Sequence, residues 1–230
     1  MKRIIAACLT IALMASLLAG CGSKTNGPGA AFLKQFNVPD IRVKSVDLDA
    51  IGQKDYTKNY YNQEGSIAPA NWKNSFMRAI AQYTKVTIPD EAAEAYIETM
   101  TGFREALKDK EFGNMFYQYS DQIGMGCSNA KKGNVAYDYW LNASKIMIKR
   151  VLGVDAVAKA KNITVSDEVF AAYCKDYDVD TADEKETAFA RYCCLEDMVV
   201  RAYLPDHEIP GYPGILPETF DSGFIDLSDY

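Results

Sequence analysis

From Ser66 onward, apolar residues recur every three or four positions, which is the spacing of helices that bury one face. Trp72, Phe76, Ile80 and Tyr83 follow one another at intervals of four, four and three, and Pro69 suits a first turn, so a helix is predicted over 68–84. Thr87 with Asp90 has the form of a capping box, Pro89 falls in the first turn, and Tyr96, Met100, Phe103 and Leu107 continue one face of a second helix. Gly124, Gly126, Gly133 and the Lys131-Lys132 pair mark a loop. Beyond it Trp140, Ala143, Met147, Val151, Val154 and Ala158 give the clearest helical stripe in the chain. Ser166 is placed to cap a short helix ending near Lys175, and Thr181 with Glu184 reads as a second capping box opening a helix that runs to about Tyr203.

On both sides of this stretch the periodicity fades. Over 31–66 the pattern is irregular: Ile41, Val43 and Val46 suggest a short strand, and Tyr56 to Gly65 reads as loop. Residues 205–230 carry Pro205, Pro210, Pro213 and Pro217, six carboxylates and no Lys or Arg, a composition that excludes a regular helix. This tail either packs its aromatic residues over the bundle or serves as an extended docking segment. The predicted fold class is therefore mainly α: a bundle of about five helices over 67–204, with an irregular N-terminal segment and an extended C-terminal tail.

The chain's beginning has a different pattern. Lys2 and Arg3 precede an apolar run from Ile4 to Leu17 that is too short to span a bilayer, so residues 1–20 read as a secretory signal peptide. The run ends in Leu18-Ala19-Gly20-Cys21, which resembles the bacterial lipobox. That resemblance implies cleavage between Gly20 and Cys21 and lipidation of Cys21, hence a lipid-anchored protein on the extracytoplasmic face of a bacterial cell membrane. Two or more acyl chains would make the anchor stable. Residues 21–30, rich in Gly, read as a flexible tether, with a reach of about 15 to 18 Å for a nine-residue coil.

Composition narrows the chemistry. The chain has 230 residues, 48% of them hydrophobic, with 25 basic and 31 acidic side chains; loss of Lys2 and Arg3 with the signal leaves 23 against 31, a balance of −8. General disorder is excluded, and no basic stretch offers a footprint for nucleic acid. His207 is the one histidine, so a His-ligated metal or a Ser/His/Asp triad has little to rest on, and no cofactor is implied. Cys127, Cys174, Cys193 and Cys194 would remain in an oxidising compartment. Cys193 and Cys194 are neighbours, so a bridge from Cys174 to Cys193 or Cys194 is the expected pairing, against the alternative of small buried hydrophobes. No Cys-x-x-Cys is present.

The stretch Asp155 to Tyr173 resembles the C-terminal chaperone domain of trigger factor and the related helical domain of SurA and PrsA type foldases. The matching residues are Ala158, Lys159, Ala160, Lys161, Asn162, Ile163, Val165, Ser166, Asp167 and Glu168, where a long helix ends in a small-residue and lysine turn before a capped helix begins. Val86 to Glu94 and Tyr192 to Leu204 are similar to the start and the closing helix of that domain. The resemblance implies a helical peptide-binding domain; the 31–66 stretch is too short for the prolyl isomerase domains of these families, so no isomerase activity is implied. Gly153 departs from the larger aliphatic residues usual there.

The leading expectation is a membrane-tethered holdase that binds unfolded or exported polypeptides without catalysis. Flexible methionine and amphipathic tyrosine suit varied contacts, which marks Met100, Phe103, Met115, Phe116 and Tyr119 as candidate client-binding residues, against the alternative, stronger for any residue on a helix stripe, that they form core. The competing class is a lipoprotein scaffold subunit that binds one fixed partner through its acidic aromatic tail. A two-lobed solute-binding protein does not fit the helical periodicity, and Asp206 and Glu208 around His207 lie in the proline-rich tail, where a solvated face explains them.

Overall fold

A computed structural model of the chain describes residues 26–53, 69–107 and 135–203. Within them the protein is mainly helical: α1 (Pro28–Lys34), β1 (Ser45–Val46), α2 (Leu48–Gln53), α3 (Pro69–Tyr83), β2 (Thr84–Lys85), α4 (Asp90–Leu107), α5 (Val135–Ala160), α6 (Asp167–Asp176) and α7 (Glu184–Tyr203). The five helices that periodicity and capping signals predict are α3 to α7. Helix α5 is the axis of the arrangement, packed against α1, α3, α4, α7 and both strands. Helix α1 also lies on α7, whereas α2 packs on α3 and α6 on α7.

The predicted stripes form the core. On α4, Tyr96, Met100, Phe103 and Leu107 are all buried, and so are Ala143, Met147, Val151, Val154 and Ala158 on α5. Gly153 is buried on another side of α5, against the end of α3, and its departure from a larger residue has a steric cause. A Cβ there would stand 2.6 Å from Ile80 Cγ2 and 2.8 Å from Thr84 Oγ1, so glycine lets the end of α3 pack directly on the α5 backbone.

Three helix ends share one device. Asn37, Asn162 and Asp178 adopt left-handed backbone conformations with φ of 58°, 56° and 50°, which Asn and Asp tolerate better than most side chains. Each is followed by an aliphatic residue whose amide donates to the carbonyl five positions back: Val38 to Leu33 at 3.3 Å, Ile163 to Ala158 at 2.8 Å and Val179 to Cys174 at 2.9 Å. These are Schellman turns, and the aliphatic residue after each packs on the core.

At the other helix ends, Ser166 Oγ accepts from the Val169 amide at 3.2 Å, as its position in the sequence predicts. The predicted cap of α7 is corrected. Asp183, and not Thr181, holds the helix start, its Oδ1 accepting from the Lys185 and Glu186 amides at 2.9 and 3.1 Å, while Glu186 reaches back to the Asp180 amide at 3.2 Å. An ionised Asp at this site also meets the positive end of the helix dipole.

The N-terminal segment differs most from expectation. The 31–66 stretch, read as irregular, contributes the rest of α1, β1 and α2 among its described residues. Ile41 and Val43 are buried outside any strand, while Ser45 and Val46 pair antiparallel with Lys85 and Thr84. Gly27 to Ala30, read as the end of a tether, are docked: Gly27 precedes α1 and Pro28 opens it.

Candidate functional site

Helix α1 packs on both α5 and α7, each far from it in the sequence. Seven residues are too few to hold a helix in water, so the segment depends on what it packs against. Gly27, the residue before the helix, has no side chain with which to cap it. Asp155 of α5 does so instead, its Oδ1 accepting from the Gly29 amide at 2.8 Å and its Oδ2 from the Ala30 amide at 2.7 Å. Pro28 has no amide hydrogen, and the Ala31 amide reaches the Gly27 carbonyl at 3.0 Å. Every donor of the first turn is thereby satisfied.

Glycine is required on this contact. A Cβ on Gly29 would come 2.8 Å from Val151 Cγ1 and 2.9 Å from the Val151 carbonyl oxygen, and one on Gly27 would collide with the Asp155 carboxylate. Burial pushes the Asp155 carboxyl up to about 6 against the opposing pull of its two backbone hydrogen bonds.

Behind this cap α1 and the turn that follows it insert three apolar side chains, Phe32, Leu33 and Phe36, each buried. Phe32 stacks on Tyr192 of α7, with centroids 5.3 Å apart and planes 7° from parallel, and meets Phe189 at 5.4 Å. Phe36 lies 4.6 Å from Tyr96 and 4.5 Å from Phe103, both on α4. Tyr192 is held in turn by a polar pair in the core: its hydroxyl donates to Glu196 Oε2 at 2.6 Å, and Glu196 Oε1 lies 3.6 Å from Arg150 Nη2 of α5. One short helix thus joins α4, α5 and α7.

A second cluster lies between α6 and α7. Arg191 stands over the Phe170 ring at 4.2 Å and pairs with Asp167 at 3.3 Å, while Tyr173 and Tyr177 contact each other at 4.5 Å. Cys174, Cys193 and Cys194 are buried here as thiols, and not as the expected bridge. Burial, with the Asp197 carboxylate adding to it, pushes the Cys194 thiol up to about 11, and burial also raises Cys174. Thiols held this way are poor nucleophiles at neutral pH. Burial likewise pushes the Tyr173 hydroxyl well above the usual tyrosine range. Among the described residues no group of three or more His, Cys, Asp or Glu could hold a metal ion, and no helix is long and apolar enough to cross a membrane.

The candidate client-binding residues divide in two. Met100 and Phe103 are corrected to core positions, 0% and 2% exposed, because the stripe that suggested them is the face α4 turns inward. Met115, Phe116 and Tyr119 lie outside the described residues, as do Gly20, Cys21 and Cys127. Sequence reasoning missed Asp155, Gly27 and Gly29 as a docking site. The available signal was Gly-Pro-Gly followed by an amphipathic Ala30 to Phe36 and an Asn37-Val38 stop.

Comparison with known protein families, curated proteins and solved structures finds no match to this chain.

Proposed function

We propose that the protein is a lipid-anchored, extracytoplasmic holdase that binds unfolded or exported polypeptides without catalysis. The observation that carries this reading is the joint between α5 and α6. Ala158 to Glu168, the stretch that resembles the trigger factor and SurA-type chaperone domains, folds as a long helix, a left-handed Asn162 turn and a helix capped by Ser166. Val169, 42% exposed, is the one large hydrophobic residue exposed among the residues whose side chains are described, and the α4 and α5 stripes described are buried in the core. Client contact is therefore assigned to the methionine- and aromatic-rich sequence between α4 and α5, with Met115, Phe116 and Tyr119 as the contact residues.

The inward commitment of the bundle also favours a second reading, a scaffold subunit whose acidic tail binds one fixed partner. Aggregation of unrelated unfolded proteins, followed by light scattering, separates the two. The holdase reading predicts suppression near stoichiometric amounts, without ATP, that survives moderate salt because apolar burial is little screened. It also predicts survival on deletion of 205–230 and loss on replacement of Met115, Phe116 and Tyr119 by Ser. Traces equal to a buffer control contradict it and leave the scaffold reading. Lipidation is tested by Cys21→Ser, which releases the mature chain or leaves the signal uncleaved.

A further inference from the structure

We infer that one end of the molecule, formed by the start of α1 and the last turns of α5, rests on the membrane with Lys159 and Lys161 toward the phosphates of the lipid headgroups. The inference rests on the proposed lipidation of Cys21 and adds to it which face the anchor presents. From Cys21 to Gly27 there are six peptide steps, which reach at most about 20 Å. Gly27 is not part of a loose lead: the two backbone bonds to Asp155 and the tight Gly27 and Gly29 contacts fix the chain against α5 at this point. The anchor therefore acts on a defined place in the fold.

That place is near one end of a long rod. Helix α5 has 26 residues, and its start at Val135 lies about 30 Å along the axis from Asp155. With a lead of at most about 20 Å, the Asp155 end of α5 is the end held near the bilayer. Lys159 is exposed one turn beyond Asp155, and Lys161 is exposed in the turn that ends the helix. Lys161 Nζ also lies 5.0 Å from the Tyr203 ring centroid, which puts the last turn of α7 at the same end. Two ammonium groups beside the anchor suit lipid phosphate, each adding electrostatic attraction at the surface.

The test uses the full lipidated chain on vesicles of phosphatidylethanolamine and phosphatidylglycerol, with the mature Cys21→Ser protein in solution as reference. Flotation first establishes that the protein is anchored. Lysines are then acetylated briefly and the extent at each site is read by peptide mass. The expected result is about fivefold lower labelling of Lys159 and Lys161 on vesicles than in solution, the ratio that one surface-bound lysine's attraction would give. Lys145, fourteen residues before Lys159 on α5, and Lys185, at the opposite end of α7, should be labelled equally in both states. Equal labelling of Lys159 and Lys161 in both states, or protection of Lys145 and Lys185 to the same extent, overturns the inference while leaving the anchor intact. Failure to float overturns the lipidation reading and this inference with it.

Discussion

Helices α1 and α6 are both short, seven and ten residues, and both pack on α7, yet they stand in opposite relation to the core. Helix α6 carries the local signals of a helix: the Ser166 cap, Asp167 and Glu168 in its first turn, and the Asp178-Val179 stop. It buries Phe170, Tyr173 and Cys174 on one side and leaves Glu168, Val169, Ala171, Ala172, Lys175 and Asp176 in solvent. Helix α1 lacks a side-chain cap of its own and has glycine in its first turn, but it packs on α5 and α7, and its Phe32 ring reaches Phe103 of α4. Local propensity therefore does not measure structural weight here. The helix that its own residues support least is the one that joins three others.

Truncation of one aromatic residue in each helix should separate them most. Phe32→Ala removes a ring in contact with Phe36, Phe103, Phe189 and Tyr192 and should cost about 3–5 kcal/mol in urea unfolding. Phe170→Ala should cost about 2 kcal/mol, because the peripheral α6 can shift to close the gap. Equal losses would break the comparison.

The pH dependence comes next. A carboxyl raised to about 6 in the fold, against 3.8 as its ordinary value, holds its proton more tightly folded than unfolded. Its contribution is thus fully present below about pH 4 and is lost as pH rises through 6, by about 3 kcal/mol in all. The difference between wild type and Asp155→Asn, measured by urea midpoints from pH 4 to 7, should show this slope, since Asn does not titrate. At pH 7 the Asn variant should itself be less stable by about 2 kcal/mol, as its amide turns a donor toward a backbone donor. A wild-type and variant difference that is flat with pH would remove Asp155 as a buried titrating cap.

Much of the bundle was legible because α3, α4 and α5 carry periodic apolar stripes, and a stripe is a local record of burial, whereas α6 and α7 were read from their caps. Pro69, Ser166 and the Ala158 to Ile163 joint could be read for the same reason: cap and turn signals act within five residues. The α7 cap fell on Asp183 because Asp180, Thr181 and Asp183 compete within four positions, and spacing alone does not rank them. The N-terminal docking site was not legible. Gly27 and Gly29 have the composition of a linker, and what makes them a contact is a carboxylate more than 120 residues away. For Met100 and Phe103 the sequence left core and client contact both open, since a stripe marks apolar residues without saying whether another helix covers them; the structure places both in the core.

A smaller effect sharpens the α6 side. Ser166→Ala should cost about 1 kcal/mol by leaving the Val169 amide uncapped, and circular dichroism should show little loss of total helix. A loss as large as that of Phe32→Ala would mean that α6 supports the core as α1 does.

Amide hydrogen exchange on the mature Cys21→Ser protein reads the central claim, that α1 is held as firmly as the helices it joins and so fixes where the chain leaves the fold. The Gly29 and Ala30 amides, bonded to a buried carboxylate, should exchange only with global unfolding, in step with the α5 amides around Val151. The Ala171 and Ala172 amides of α6 should exchange faster, through local opening. If Gly29 and Ala30 instead exchange as fast as α6, then α1 detaches on its own, and neither its joining of the helices nor the fixed exit point stands.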